Sequence, residues 1–206
     1  MRLGLFGGSF DPVHYGHLLL AECCREQCEL GRVLFVPTAT PPHKKGRPLA
    51  PADDRVAMLR LAIAGQEAFE VCAHEIERGG TSYTVETLRH FRQTRPDDEL
   101  FLMVGADMLN DLPNWREAAE ICRLAQPVAV HRPGTGPIDF ACLEPIASPE
   151  RIAQTRRLQV EMPEMGMSST DLRRRAADGR SIRYQTPRAV EEYIRTQGLY
   201  GAGDSG

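Results

Sequence analysis

Apolar residues fall in short bursts along this chain, and the bursts follow two different periods. The runs from Arg2 to Phe6, Val33 to Val36, Phe69 to Cys72, Leu100 to Val104 and Ala125 to Val130 are compact and bounded by Gly, Pro or charge, as strands are. Leu158, Val160 and Met162 alternate with polar neighbours, the strand period of two. Between these runs the apolar positions recur every three or four residues: Leu20, Cys24 and Cys28; Val56, Leu59 and Ile63 in a helix starting near Asp53; Val85, Leu88 and Phe91 in a helix over 84–93. Helices are also expected over 168–177, capped by Ser169 or Thr170, and over 187–196, with Thr186 as cap and Pro187 in the first turn. The stretch from Pro133 to Pro149 has no clear period.

Strands that alternate with helices predict an α/β chain: a doubly wound parallel sheet with helices on both faces and ligands beyond the C-terminal ends of the strands. Leu100 to Val104, apolar throughout, suits a central strand covered on both sides. No repeat, low-complexity tract or linker divides the 206 residues, so one domain over 1–206 is expected.

Composition narrows the function classes. Hydrophobic residues make up 42% and charged residues 26%, and the net charge is −3. No bulk positive field draws the chain to nucleic acid or to a membrane, so phosphates would need a local cluster of donors. The start has no signal-peptide pattern and no run is long enough to span a bilayer, so a cytoplasmic protein is expected. Six cysteines without a C-x-x-C pair read as reduced, mostly buried thiols rather than a zinc site or disulfide frame.

The densest chemistry lies where the first strand meets the first helix, Gly7-Gly8-Ser9-Phe10-Asp11-Pro12-Val13-His14-Tyr15-Gly16-His17. Paired glycines let backbone N–H groups approach an anion, and the helix that follows aims its positive end at the same space. His14 and His17, three residues apart on a first helical turn, share one side, and Gly16 leaves room for their rings. The segment is neither the G-x-G-x-x-G dinucleotide fingerprint nor a G-x-x-x-x-G-K-[ST] phosphate loop. A metal held by the two histidines would need a third ligand nearby, and none is expected. A second polar cluster, Met167-Ser168-Ser169-Thr170-Asp171-Leu172-Arg173, enters a helix. Its free N–H groups and Arg173, one turn on, could grip an anion.

The first segment resembles the signature of the H-x-G-H nucleotidyltransferase superfamily, and the second its I-S-S-T-x-x-R motif with Met167 in place of the isoleucine. The resemblance implies a Rossmann-like fold, with His17 and His14 acting on the triphosphate. Gly7, Gly8, Ser9, Phe10, Ser169, Thr170 and Arg173 would bind ATP, and the segment over about 168–200 would complete the active site. Further stretches are similar to the bacterial nicotinate-nucleotide adenylyltransferase family: Pro41-Pro42-His43-Lys44, Thr81-Ser82-Tyr83-Thr84, Gly105-Ala106-Asp107, Trp115-Arg116, and Val190 to Ile194 with Gly198-Leu199-Tyr200.

That likeness implies that Lys44, helped by His43, holds phosphate. Gly105 and Asp107 would meet a ribose, while Tyr83, Thr84, Trp115 and Arg116 would meet the nicotinate. ATP and nicotinate mononucleotide are then the expected partners, with Mg²⁺ held mainly by substrate phosphates. The pattern leaves the oligomeric state open, a homodimer included. Rival readings are a pantetheine-phosphate or nicotinamide-nucleotide adenylyltransferase and a non-catalytic nucleotide sensor. His74, His90 and His131 belong to no motif and receive no role.

Overall fold

The computed structural model describes residues 1–42, 48–131 and 138–201. In chain order its elements are β1 (Arg2–Gly8), α1 (Tyr15–Gln27), β2 (Arg32–Pro37), α2 (Ala52–Ile63), β3 (Phe69–Val71), α3 (His74–Arg78), α4 (Thr84–Thr94), β4 (Glu99–Gly105), α5 (Ala106–Asp111), α6 (Ala118–Leu124), β5 (Gln126–His131), α7 (Pro149–Arg157), β6 (Gln159–Glu161), α8 (Ser169–Ala177) and α9 (Arg188–Thr196).

The six strands form one sheet in the order β3-β2-β1-β4-β5-β6, and every pairing is parallel. Alternation along the central strands separates two apolar layers. Phe6, Phe35, Phe101 and Met103 pack on one face under α1, α2, α8 and α9, whereas Leu3, Leu5, Leu34 and Leu102 pack on the other under α4, α5 and α6. The expected doubly wound sheet with two helical layers is therefore observed, and it has the Rossmann strand order. Winding reverses between β1 and β4, so the C-terminal ends of these neighbours, Gly7-Gly8 and Gly105, flank the crevice where such sheets bind ligands.

Several local expectations change. Ser168, not Ser169 or Thr170, caps α8: its hydroxyl accepts from the Asp171 N–H at 3.1 Å. Thr186 does not cap α9, where Pro187 holds the cap position; its hydroxyl instead donates 2.8 Å to the Val13 carbonyl. Only Val160 of the alternating Leu158–Met162 set is both buried and in a strand, because β6 is a three-residue edge. Within 133–149 the described part forms a short 3₁₀ turn over Phe140–Leu143, and α7 begins at Pro149 behind a Ser148 cap.

Candidate functional site: a loop held by the C-terminal helices

The glycine–histidine loop leaves β1 at the switch point and doubles back into α1. Phe10, at φ 45°, turns its ring inward against Phe6, Phe35 and His17, with centroids 5.3, 5.6 and 5.1 Å away. A Cβ on Gly8 would lie 3.0 Å from that ring, and one on Gly16 would lie 3.0 Å from the His14 ring. A side chain at either position would press on these rings and require them to shift. The His14 and His17 rings stack with centroids 3.8 Å apart. The His14 backbone N–H donates to His17 Nδ1 at 3.2 Å, so the neutral His17 ring carries its proton on Nε2, which becomes the donor.

Three consecutive carbonyls of this loop, those of Asp11, Pro12 and Val13, are held from the far end of the chain. Ser169 Oγ donates to the Pro12 carbonyl at 2.9 Å, Thr186 Oγ1 to that of Val13, and Arg173 Nη1 to that of Asp11. The Tyr15 N–H returns a bond to the Gln185 carbonyl at 3.1 Å. Arg173 also lies 3.5 Å from the Asp11 carboxylate and donates 3.0 Å to Thr170 Oγ1. The two sequence motifs therefore meet, and part of their polarity serves to fasten one to the other.

Two cavities flank the loop. The larger, about 960 Å³, opens over the switch point and is lined by Gly7, Gly8, Ser9, Phe10, His17 and Gly105 on one side and by Tyr83, Thr84, Trp115 and Arg116 on the other. Trp115 is half-buried, and its Nε1 donates to Asp111 Oδ2 at 3.2 Å, which fixes the indole plane. Arg116 stacks its guanidinium 4.5 Å over the Tyr83 ring and pairs with Glu86 at 3.1 Å. The smaller cavity, about 250 Å³, is polar and lined by His14, His17, Ser169, Thr170 and Arg173. Ser9 and His17 belong to both walls. Asp107 stands exposed on the first turn of α5, in neither wall. His43 and Lys44 lie outside the described residues.

The chain also matches known proteins. Residues 5–175 fit the cytidylyltransferase-like family model. A probable nicotinate-nucleotide adenylyltransferase of Thermus thermophilus is 48% identical over 97% of this chain and 100% of its own length. One of Thermomicrobium roseum is 45% identical over 97% and 91%. The chain belongs to the nicotinate-nucleotide adenylyltransferase family. A solved Plasmodium falciparum nicotinic acid mononucleotide adenylyltransferase complexed with NaAD, 17% identical, superposes with a TM-score of 0.76 over 98% of both chains, and a putative Vibrio parahaemolyticus nicotinate-nucleotide adenylyltransferase does so at 0.69 over 97% and 96%. At such identities these show that the fold is shared.

In this family member two charged residues shape the site without having stood out in the sequence. Asp11 has no exposed surface; the sequence showed it only as one member of the glycine–histidine segment, with nothing to mark its partners. Arg55 is 2% exposed, and its guanidinium donates to the carbonyls of Ser9 at 3.0 Å, Thr38 at 2.8 Å and Ala50 at 3.1 Å. Burial lowers its pKa, opposed by the nearby Asp11 charge. Its signal is positional: Arg55 shares the inward face of α2 with Met58 and Leu59. Of the histidines outside the motifs, His74 and His90 stack on each other between α3 and α4, and His131 ends β5.

Proposed function

We propose that this chain joins ATP and nicotinate mononucleotide to give nicotinate adenine dinucleotide and pyrophosphate, a step of NAD biosynthesis. The observation that carries this reading is the shared wall. A small polar cavity lined by two histidines, two hydroxyls and Arg173 and a large, mostly apolar cavity with an aromatic side meet at Ser9 and His17. An α-phosphorus bonded to phosphates in one and approached from the other would lie at that junction.

In the reaction an oxygen of the mononucleotide 5′-phosphate attacks the α-phosphorus in line. The bond from that phosphorus to the bridging oxygen breaks, and its electrons leave with pyrophosphate. A phosphate monoester is already anionic near neutral pH, with a second pKa of about 6, so the step needs no protein nucleophile or base. Catalysis rests on positioning and on neutralising charge on the α-phosphoryl oxygens. His17, donating through Nε2, stabilises that charge, and His14 orients it. The backbone of Gly7, Gly8, Ser9 and Phe10 serves the phosphates together with Ser169, Thr170, Arg173 and Lys44. Trp115 stacks on the pyridine ring, with Tyr83, Thr84 and Arg116 about its carboxylate. Gly105 and, at the rim, Asp107 serve ribose.

Among the described residues no group of three or more His, Cys, Asp or Glu side chains is arranged to hold a metal. Mg²⁺ is proposed to arrive on the triphosphate, held by phosphate oxygens, and no step above runs through it. No helix among the described residues is long and apolar enough to cross a membrane. The cytoplasm is the proposed compartment, in keeping with six unpaired cysteines.

The test is pyrophosphate release from ATP with nicotinate mononucleotide, nicotinamide mononucleotide and phosphopantetheine in parallel. The nicotinate form should react fastest. Release with phosphopantetheine alone would overturn the assignment, and equal rates with the two pyridine nucleotides would remove the carboxylate from the neighbourhood of Thr84.

A further inference from the structure

After α9 the chain turns back through Gly198, Tyr200 and Gly201, at φ 61°, 61° and 78°. Glycine takes this conformation freely; a tyrosine holds it only where its surroundings compensate. The compensation here is a bond into the glycine–histidine loop. Tyr200 Oη donates to Asp11 Oδ1 at 2.7 Å across 189 residues of sequence. The same oxygen accepts the Ala50 N–H at 3.2 Å, while Asp11 Oδ2 and the Asp11 carbonyl face Arg173. Burial and the Asp11 charge both push the Tyr200 phenol well above its ordinary pKa, so it stays a donor at any working pH.

Arg173 lines the small polar cavity and at the same time pairs with Asp11. A carboxylate free to rotate would turn more of its charge onto the guanidinium and draw it off an incoming anion. We propose that Tyr200 is a positioning residue for the triphosphate: by holding Asp11 it keeps Arg173 presented to the small cavity. The idea rests on the adenylyltransferase reading only in taking ATP as the anion.

Tyr193 supplies an internal control. Its hydroxyl donates to Asp54 Oδ1 at 2.8 Å, a bond of the same kind from the preceding helix that does not reach the loop. Tyr200→Phe and Tyr193→Phe would be compared with the unaltered chain by calorimetric titration with a non-hydrolysable ATP analogue, by KM for each substrate and by thermal midpoint. Tyr200→Phe should weaken analogue binding and raise the ATP KM by about tenfold, the scale of a hydrogen bond to a charged group, with the mononucleotide KM within about twofold. Tyr193→Phe should lower the midpoint comparably and leave ATP binding unchanged.

Unchanged ATP affinity in Tyr200→Phe would overturn the proposal. So would equal rises in both KM values, or an equal ATP defect in Tyr193→Phe. If the unaltered chain bound the analogue but formed no dinucleotide, the enzymatic reading would fall, whereas the ratio of the two dissociation constants would still decide the role of Tyr200.

Discussion

The two ends of the site are built in opposite ways. The proposed phosphate end is drawn together over long sequence distances: Ser169 reaches Pro12 across 157 positions, Arg173 reaches Asp11 across 162 and Thr186 reaches Val13 across 173. The proposed pyridine end comes from segments closer in sequence. Trp115 is steadied by Asp111, four residues away, and Tyr83 and Glu86 are joined to Arg116 across about thirty. The loop beside the small cavity is thus fixed by cross-links over the whole fold, while the aromatic wall of the large cavity is carried by two short segments. On the proposed roles, such an arrangement lets specificity vary by local change without loosening the groups assigned to chemistry.

The strongest attempt to break this contrast removes the donor at the junction. His17→Ala should lower kcat by about 100-fold or more, the scale of losing one preorganised donor, with the folded circular dichroism spectrum kept and a modest drop in thermal midpoint from the lost cap bond at the start of α1. Near-normal turnover would take His17 out of the mechanism. Arg173→Ala should affect both ligand and fold: kcat/KM for ATP should fall by roughly 30-fold and the midpoint should drop, because the loop loses a charged tether. Trp115→Ala tests the other end. The KM for nicotinate mononucleotide should rise by about tenfold, a typical loss for one stacked base, with the ATP KM unchanged. A rise in the ATP KM instead would mean that the two ends are not independent.

Smaller effects sharpen the picture. Thr186→Val leaves the Val13 carbonyl without its buried donor and should cost about 1 kcal/mol of stability in urea titration, with modest loss of activity. Thiol labelling probes the layer under α1. Burial raises the pKa of Cys24 and pushes Cys28 up to about 11, and under α6 it pushes Cys122 up to about 11. Little thiolate exists at pH 8, so iodoacetamide should leave these three unmodified in the native protein and reach them in denaturant.

Much of this was legible in the sequence because the signals were local. Strand runs such as Leu100 to Val104 and the 3.6-residue stripe of Val85, Leu88 and Phe91 correspond to β4 and α4. His14, Gly16 and His17 could be read together because a helical turn brings them together. The short elements were harder. α3 has five residues and α5 six, too few for a period to show, and α5 starts directly at the end of β4 with no intervening turn. α7 did carry a Ser148 cap and a Pro149 start, a signal masked by the patternless stretch before it. The roles of Asp11, Arg55 and Thr186 were not legible because each depends on a partner from another element. No rule of spacing along one segment predicts that a threonine before a helix will bond to a carbonyl 173 residues away instead of capping.

The fastening of the first loop by the last helices also imposes an order on biosynthesis. At about 5–20 residues per second, the ribosome makes Asp11 roughly 10–30 seconds before Arg173. Until then the Pro12 and Val13 carbonyls lack the donors that hold them, although Arg55 and Ala50 already bind Ser9 and Asp11, and a truncated product would keep most of the sheet. Premature termination near residue 165 should therefore yield a chain that holds ATP more weakly than the full protein, because only the donors from the last helices are missing.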